Sequence, residues 1–237
     1  MYAEQEATLL MEGAREPTAL AGLVARRVAG EPLEHLLGWA AFRGRRVAVD
    51  PGVYVPRRRS EHLVTVGITL VRPGSVVVEL CCGTAAVASA LGHAVPGLEL
   101  VAADVDPAAV RCARRNLPGG RVCEGDLHDA LPPDLRGRID LLVANPPHVP
   151  HDEIRLMPRE AREHEQPVAL DGGRDGLDIV RRIVAEAPVW LSPTGVLLLE
   201  TGRSQVGAVT ALLSAAGLTP AVSTDDDLAA TVIVGRR

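Results

Sequence analysis

The sequence is poor in several residue types, and the scarcity of aromatic residues narrows the possible functions. All 25 basic residues are arginine, and only five of the 237 residues are aromatic. Proteins that hold single-stranded nucleic acid stack its bases on aromatic rings, so the shortage of rings argues against that class. A net charge of -5 argues against broad electrostatic capture of duplex nucleic acid. The absence of lysine indicates a compositional bias without functional content.

The chain also lacks a long hydrophobic run. A long stretch without Asp, Glu or Arg, residues 80–98, contains three glycines and a proline, so it is not expected to span a membrane. The acidic, amphipathic N-terminus is unlike a signal peptide. The four cysteines, at positions 81, 82, 112 and 123, have no C-x-x-C spacing, which favours reduced thiols. These features together predict a cytoplasmic protein.

Short apolar runs alternate with helix-like segments through most of the chain. Buried parallel strands joined by helices produce this pattern, which predicts an α/β fold with a doubly wound sheet. The apolar runs lie at 76–80, 98–103, 139–144 and 196–199, and the clearest helical segments at 107–116, 177–187 and 205–216.

The two ends of the chain have different patterns. Residues 3–29 have the apolar spacing of one or two short helices, and residues 31–56 have the turn signals of a hairpin. Near the C-terminus, residues 221–222 and 230–234 flank an acidic turn, which predicts a closing hairpin. We therefore divide the chain into a helical segment (1–30), a β-hairpin linker (31–60) and one large domain (61–237).

A loop of small residues follows the first strand of the large domain. Dinucleotide sites carry three glycines in such a loop, whereas this one has only Gly83, so a pyrophosphate ligand is not favoured. Glu79 could accept hydrogen bonds from an ammonium group, and Asp104 could accept them from ribose hydroxyls. Asp126 could accept one from an adenine amino group. The alternative is that Asp106 merely starts a helix and that residues 125–126 form a turn. The further residues predicted at this nucleoside site are Cys81, Ala85, Val105, Leu127 and Asn145.

The sequence Asn145-Pro146-Pro147-His148 ends a buried strand and is the most specific motif in the chain. The nitrogen of an amide or an aromatic amine is a weak nucleophile because its lone pair is delocalised. The Asn145 side-chain oxygen and the Pro146 carbonyl could accept its two N–H groups and direct the lone pair at a methyl donor. The prolines restrict the backbone, and the His148 ring could pack over a planar acceptor. The alternative is an ordinary strand-ending turn.

These motifs resemble those of the protein-(glutamine-N5) methyltransferases, which methylate a glutamine of peptide release factors with S-adenosyl-L-methionine. The resemblance runs from about residue 31 to about residue 205. It implies a seven-stranded Rossmann-like sheet, a cofactor site at Glu79, Gly83, Asp104 and Asp126, and an amide site at Asn145, Pro146 and His148. The similar segments are EPLEHLLGWAAFRGRRVAVDPGVYVPRRRSEHLV, ELCCGTA, ADVDPAAVRCARRN, NPPH, EHEQPVALDGGRDGLD and LLLETGRSQ.

The chain departs from the family pattern at several positions. His148 replaces the usual tyrosine, and Cys81 and Ala85 replace glycines. Arg58 and Arg59 replace a Pro-Glu pair, and the helical region before the hairpin is shorter than usual. By default Arg57–Arg59 is expected to be a solvated patch at the entrance of the active site, and a contact with phosphate or an acidic partner is the alternative.

Other polar residues suggest weaker hypotheses. His151 and His164 have acidic neighbours, but without compact ligand spacing a solvated face is favoured over a metal site. His164 and Glu165 could also frame the acceptor pocket, and residues 171–173 could shape its channel. Cys81 and Cys82 are expected to pack rather than to act as nucleophiles.

The main hypothesis is an S-adenosyl-L-methionine-dependent N-methyltransferase that acts on a glutamine side-chain amide in a protein such as a release factor. Three alternatives remain open: an adenine-N6-type nucleic-acid methyltransferase, a small-molecule amine or amide methyltransferase, and a module that only binds the cofactor. The low aromatic content and acidic pI count against the nucleic-acid alternative.

Overall fold

Three helices and a hairpin precede the main sheet. The computed structural model describes residues 3–14 and 16–237, so positions 1, 2 and 15 of the predicted N-terminal segment lie outside the described residues. The structure confirms the predicted helices and the predicted hairpin. Among the described side chains of the first two helices, only Leu10 is buried. These elements are α1 (Ala3–Gly13), α2 (Pro17–Val28), α3 (Leu33–Leu37), β1 (Trp39–Phe42) and β2 (Arg45–Ala48).

The rest of the chain forms a doubly wound sheet with helices on both faces. Its elements are α4 (Glu61–Ile68), β3 (Val76–Leu80), α5 (Ala86–Ala94), β4 (Glu99–Asp104), α6 (Pro107–Asn116), β5 (Arg121–Glu124), β6 (Ile139–Ala144), α7 (Arg159–His164), α8 (Asp178–Trp190), β7 (Leu191–Glu200), α9 (Val206–Ala215), β8 (Thr219–Asp225) and β9 (Ala230–Arg236). The predicted strands, helices and closing hairpin are confirmed, with shifts at their ends. Strand β7 begins five residues earlier than predicted, at Leu191 instead of position 196.

The sheet has seven strands in the order β5-β4-β3-β6-β7-β9-β8. Strands β3 to β7 run parallel to one another, and β9 runs antiparallel to both of its neighbours, β7 and β8. After β3 the chain builds β4 and β5 on one side and then crosses to build β6 and β7 on the other. In open α/β sheets such a reversal leaves a crevice at the carboxyl ends of the strands, where ligands bind.

Successive side chains on each strand point to opposite faces of the sheet, and the hydrophobic core is therefore divided between the two faces. Leu141 packs in the cluster formed with α4 and α5, whereas the next residue, Leu142, packs in the cluster formed with α8 and α9. Leu197 and Leu198 divide between the faces in the same way because successive side chains on a strand point in opposite directions. Every residue of β3 is buried, which explains why four of its five residues are apolar.

Arg27 links α2 to both α1 and α7 through ion pairs. Arg27 on α2 donates to Glu6 at 2.8 Å and to Glu160 on α7 at 2.5 Å. The contact with Glu160 connects α2 to the segment that follows the Asn145 motif. Among the described residues, no helix is long and apolar enough to cross a membrane.

Candidate active site

A cavity of about 280 Å³ opens at the carboxyl ends of the central strands. This volume is near the lower end of the range for small-molecule sites. Every residue predicted to bind the cofactor or to hold the acceptor amide at the strand end lines this cavity except Ala85. The predicted residues in the lining are Glu79, Cys81, Gly83, Asp104, Val105, Asp126, Leu127, Asn145, Pro146, Pro147 and His148.

The loop after β3 turns through three left-handed residues. Cys81 has φ 51°, Gly83 has φ 51° and Ala85 has φ 56°. Left-handed backbone favours glycine, and a residue with a side chain there costs on the order of 1 kcal/mol or more. This conformation explains why the family pattern has glycines at positions 81 and 85. Ala85 is fully buried at the start of α5, so its contribution to the site is the backbone turn and not a contact with the cavity.

Asp104 braces this loop from the end of β4. Its Oδ2 accepts a hydrogen bond from the Gly83 N–H at 2.8 Å, and its Oδ1 accepts from the Asp106 N–H at 2.9 Å. Burial raises the pKa of Asp104, against the lowering effect of these backbone donors. Asp106 does start a helix, since its side chain accepts from the Ala108 N–H and caps α6. The alternative proposed for Asp106 is therefore confirmed, while Asp104 is the carboxyl that braces the loop.

Glu79 is a buried acid at the base of the cavity. It is 5% exposed, and its Oε2 accepts from the Ala88 N–H at 2.7 Å. Burial raises the pKa of Glu79 to about 8, although the backbone N–H groups of Ala88 and Val87 lower it. A cationic ligand would stabilise the ionised form. The amino and sulfonium cations of S-adenosyl-L-methionine therefore fit a cavity that is lined by Glu79 and Asp104.

Asp126, the residue predicted to hold an adenine amino group, is engaged by an arginine. Its Oδ2 accepts from Arg182 on α8 at 2.6 Å, and both side chains line the cavity. Each carboxylate oxygen has two lone pairs, so this bond leaves acceptor capacity on Asp126. The role of Asp126 toward adenine stays a prediction.

Asn145 presents an unpaired buried oxygen. Its Nδ2 donates to the Ser60 Oγ at 3.3 Å, and its Oδ1 is buried without a hydrogen-bond partner among the described residues. Leaving a buried acceptor unsatisfied costs about 1–3 kcal/mol, so such an atom indicates a site for a ligand donor. Ser60 ends a short 3-10 helix, Arg58–Ser60, and was not predicted as part of the site.

His148 lies in the same cavity with its ring turned toward Pro146. The Nδ1 atom is 3.0 Å from the Pro146 carbonyl oxygen. The His148 carbonyl accepts from Gln205 Nε2 at 3.0 Å, which joins this loop to the segment after β7. Burial lowers the pKa of His148, and the Pro146 carbonyl opposes this effect. The Pro146 carbonyl is predicted to accept an N–H group of the molecule that is methylated. It already accepts a hydrogen bond from Nδ1 of His148, so one lone pair on its oxygen remains for that molecule.

The prediction of a solvated arginine patch is wrong for two of its three residues. Arg57 donates to Glu165 at 2.6 Å, and Arg59 donates from Nε to Glu200 at 2.8 Å. Both carboxylates are buried, with side chains 1% and 2% exposed. Only Arg58 is exposed. The carboxylates that Arg57 and Arg59 contact belong to this chain, and contact of the patch with phosphate or an acidic partner stays a prediction.

A second asparagine, Asn116, joins the hairpin to the loop after β3. Asn116 accepts from the Ala48 N–H and donates to the carbonyls of Ala48 and Thr84, each at 2.9 Å. It joins the end of β2 to the loop that contains Gly83. Sequence reasoning did not identify Asn116, and its position as the last residue of a helix provides no signal for this role.

The other polar residues lie away from the cavity. His151 is exposed and bonds to Asp171 at 2.7 Å, and neither residue lines the cavity. His164 does not line the cavity either. Glu165 accepts hydrogen bonds from Arg57 and from the Val55 N–H and does not line the cavity. Among residues 3–14 and 16–237, no three His, Cys, Asp or Glu side chains form a group that could hold a metal ion.

Comparisons with known proteins agree with this geometry. Residues 77–167 match a family model described as a methyltransferase domain. The chain is 42% identical to a release factor glutamine methyltransferase of Streptomyces coelicolor, over 79% of this chain and 68% of that protein. It is 40% identical to a 4-amino-L-phenylalanine/4-methylamino-L-phenylalanine methyltransferase of Streptomyces pristinaespiralis, over 82% of this chain and 69% of that protein. A solved methyltransferase from Pyrococcus furiosus shares the fold, with a TM-score of 0.63 at 16% identity, over 91% and 98% of the two chains.

The sheet order, the cavity at the carboxyl ends of its strands and these matches define an S-adenosyl-L-methionine-dependent methyltransferase with a Rossmann-like fold. The predicted fold, enzyme class and cofactor are confirmed. Within that class, the chain belongs to the release factor glutamine methyltransferase family, as the sequence motifs indicated.

Proposed function

We propose that this enzyme methylates the side-chain amide nitrogen of a glutamine in a protein, and that the protein is a peptide release factor in the cytoplasm. The observation that carries the proposal is the buried, unpaired Oδ1 of Asn145 beside the Pro146 carbonyl. Two adjacent acceptors in one cavity match the two N–H groups of a primary amide. The relative from Streptomyces coelicolor, by its name, acts on this substrate.

The chemistry follows from what these acceptors do to an amide. S-adenosyl-L-methionine supplies a methyl group bonded to a positively charged sulfur. An amide nitrogen is planar and shares its lone pair with the carbonyl, so it attacks such a methyl group slowly. When Asn145 Oδ1 and the Pro146 carbonyl hold the two hydrogens, the nitrogen becomes more pyramidal and its lone pair points at the methyl group. This interaction is stronger in the transition state than in the bound substrate, which makes it catalytic.

A second candidate is N-methylation of the amino group of a small aromatic amino acid. The relative from Streptomyces pristinaespiralis, by its name, acts on such a compound. Arg59 lines the cavity and is held by Glu200 and Tyr54, and its guanidinium could also bind a carboxylate of a small acceptor. An amino group also presents two N–H groups to Asn145 and Pro146.

A direct transfer assay tests the proposal. The enzyme is incubated with labelled S-adenosyl-L-methionine and, in separate reactions, with a purified unmethylated release factor and with 4-amino-L-phenylalanine. Mass spectrometry of the digested release factor is expected to locate one added methyl group on a glutamine. A release-factor variant with that glutamine changed to alanine is the control. Label that appears only on the small amine would replace the first candidate with the second.

A further inference from the structure

The segment that follows the Asn145 motif contributes only apolar residues to the cavity. Residues 149–170 include eight Asp, Glu and Arg residues, and none of these eight lines the cavity. The residues of the segment that do line it, which we call the apolar wall, are Val149, Met157, Val168, Ala169 and Leu170. A charge-rich segment that presents only apolar residues to a cavity forms a surface for an apolar group of a ligand.

Backbone hydrogen bonds place the apolar wall directly after His148. The Val149 N–H donates to the Leu170 carbonyl at 3.2 Å, and the Val149 carbonyl accepts from the Gly172 N–H at 2.9 Å. The two ends of the segment therefore lie side by side. Because Val149 follows His148 in the chain, the wall continues the surface that the His148 ring begins.

A second set of contacts joins the same segment to the residues that support Asn145. Glu165 accepts from the Val55 N–H at 3.1 Å and from Arg57 at 2.6 Å. Arg57 precedes the short helix whose last residue, Ser60, accepts a hydrogen bond from the Asn145 side chain. The other residues predicted to bind the cofactor follow β3, β4 and β5, across the point where the strand order reverses. The apolar wall thus lies on the acceptor side of the cavity.

One residue of the wall leaves apolar area in contact with water. Val168 is 50% exposed although it lines the cavity. Single exposed hydrophobic residues are common on protein surfaces, but one inside a binding cavity can be covered by the ligand. An acceptor that covers Val168 gains binding free energy, because apolar area is removed from water on both sides of the contact.

We propose that the apolar wall binds an apolar group of the acceptor, beside the nitrogen that Asn145 and Pro146 hold. The inference rests on the proposed function in assuming that the methylated nitrogen lies at these two residues. It adds a requirement on the substrate, since the group that contacts the wall must be apolar. In a small amine this group is the aromatic ring that carries the nitrogen, and in a protein it is an apolar side chain close to the glutamine.

The first test detects occupancy of the wall and does not depend on the natural acceptor. The chain has three methionines, of which Met157 belongs to the wall and Met11 is exposed on α1 as an internal reference. Enzyme with carbon-13-labelled methionine methyl groups is saturated with S-adenosyl-L-homocysteine and then titrated with benzamide or with acetamide. The Met157→Leu variant assigns the signal.

Benzamide, a primary amide on an aromatic ring, is expected to shift the Met157 signal and to leave Met11 unchanged. Acetamide has the amide without the ring and should shift Met157 less at the same concentration. A Met157 signal that responds to S-adenosyl-L-homocysteine and not to benzamide would assign the wall to the cofactor and overturn the proposal.

The second test places a charge on the wall. Val168→Asp is expected to raise the KM for the acceptor at least about 10-fold, because the carboxylate must lose water when an apolar group covers it. The affinity for S-adenosyl-L-methionine should change less than about 2-fold, since the cofactor lies on the other side of the cavity. Val189→Asp is the matched control, because Val189 is 55% exposed on α8 and does not line the cavity. This variant should keep the wild-type KM.

The outcomes separate the two proposals. Equal KM values for Val168→Asp and Val189→Asp would show that the acceptor does not contact the wall, even though the enzyme methylates it. If the wild type labels 4-amino-L-phenylalanine and no release factor, the glutamine proposal fails. The KM values of the two variants for that amine then decide the role of the wall.

Discussion

Arg59 donates a hydrogen bond from Nε to Oε1 of Glu200 at 2.8 Å, although 141 positions separate the two residues in the chain. The bond joins the short helix at 58–60 to the end of β7 beside His148. The next residue, Ser60, contacts Asn145, so the same short helix supports both sides of the proposed acceptor site. An arginine that appears in the sequence to belong to a surface patch is therefore part of the framework of the site.

Removing the charge of Glu200 should destabilise the protein. Glu200→Gln leaves Arg59 without its carboxylate, and we expect a loss of about 1–3 kcal/mol in the free energy of unfolding, less than for a fully buried pair because Arg59 is partly exposed. Urea unfolding measures this loss. Asp226→Asn, which breaks the exposed pair with Arg203, is the control and should cost less than about 0.5 kcal/mol. Equal losses in the two variants would contradict a structural role for the Arg59–Glu200 pair.

The two asparagines of the chain should respond in opposite ways to substitution by alanine. Asn145→Ala removes the unpaired oxygen, so we expect methyl transfer to fall about 100-fold while the melting temperature and the affinity for S-adenosyl-L-methionine change little. Asn116→Ala breaks two hydrogen bonds with the hairpin and one with the loop after β3, and should lower the free energy of unfolding by about 1–3 kcal/mol. Thermal unfolding and turnover of both variants check this contrast. Loss of stability in Asn145→Ala would argue that the asparagine is structural.

Cofactor binding should release a proton from Glu79. Its pKa is about 8 without ligand, so most of the enzyme holds Glu79 protonated at about pH 7. A bound cation lowers this pKa, and the affinity for S-adenosyl-L-methionine should therefore rise with pH and level off above about pH 8. Calorimetry at about pH 7 in phosphate and in Tris, which differ in ionisation enthalpy, measures the proton count.

The control for this experiment is Glu79→Gln, whose side-chain oxygen can still accept from the Ala88 N–H. This variant should bind the cofactor more weakly and release no proton. Equal heats in the two buffers for the wild type would show that Glu79 does not ionise on binding.

A methyl group at position 176 should impair catalysis without contacting the acceptor. Gly176 has φ +76°, and an added Cβ would collide with the His148 carbonyl and with Gln205. Gly176→Ala is therefore expected to displace His148 and to reduce kcat by at least about 10-fold. Gly137→Ala has a similar backbone, φ +70°, with open space around the added Cβ.

Both glycine variants should lose about 1 kcal/mol of stability from backbone strain. Only Gly176→Ala should lose activity in addition, as measured by steady-state kinetics on folded protein. Equal kcat values for the two alanine variants would mean that the position of His148 does not depend on this contact.

The sequence alone determined the sheet and the positions of its motifs. Buried strands such as residues 76–80 and 139–144 are apolar at every position but one because both faces of the sheet are covered, and this signal is local. Because parallel strands bring their carboxyl ends to one edge, Glu79, Asp104 and Asn145 were expected to meet there, and the cavity does contain them.

Only the tertiary structure decided which polar atoms are paired. The bonds from Arg57 to Glu165, from Arg59 to Glu200 and from Asn116 to the hairpin each join separate elements, and no periodicity along one element indicates such a partner. The same applies to the atoms left free, since the open Oδ1 of Asn145 and Nε2 of His148 depend on where Ser60 and Pro146 lie. Burial follows a periodic pattern of apolar residues along the chain, and the sequence therefore predicts it. Whether a polar atom has a hydrogen-bond partner depends on distances and directions in space, so only the tertiary structure decided which atoms of the site are free to bind a ligand.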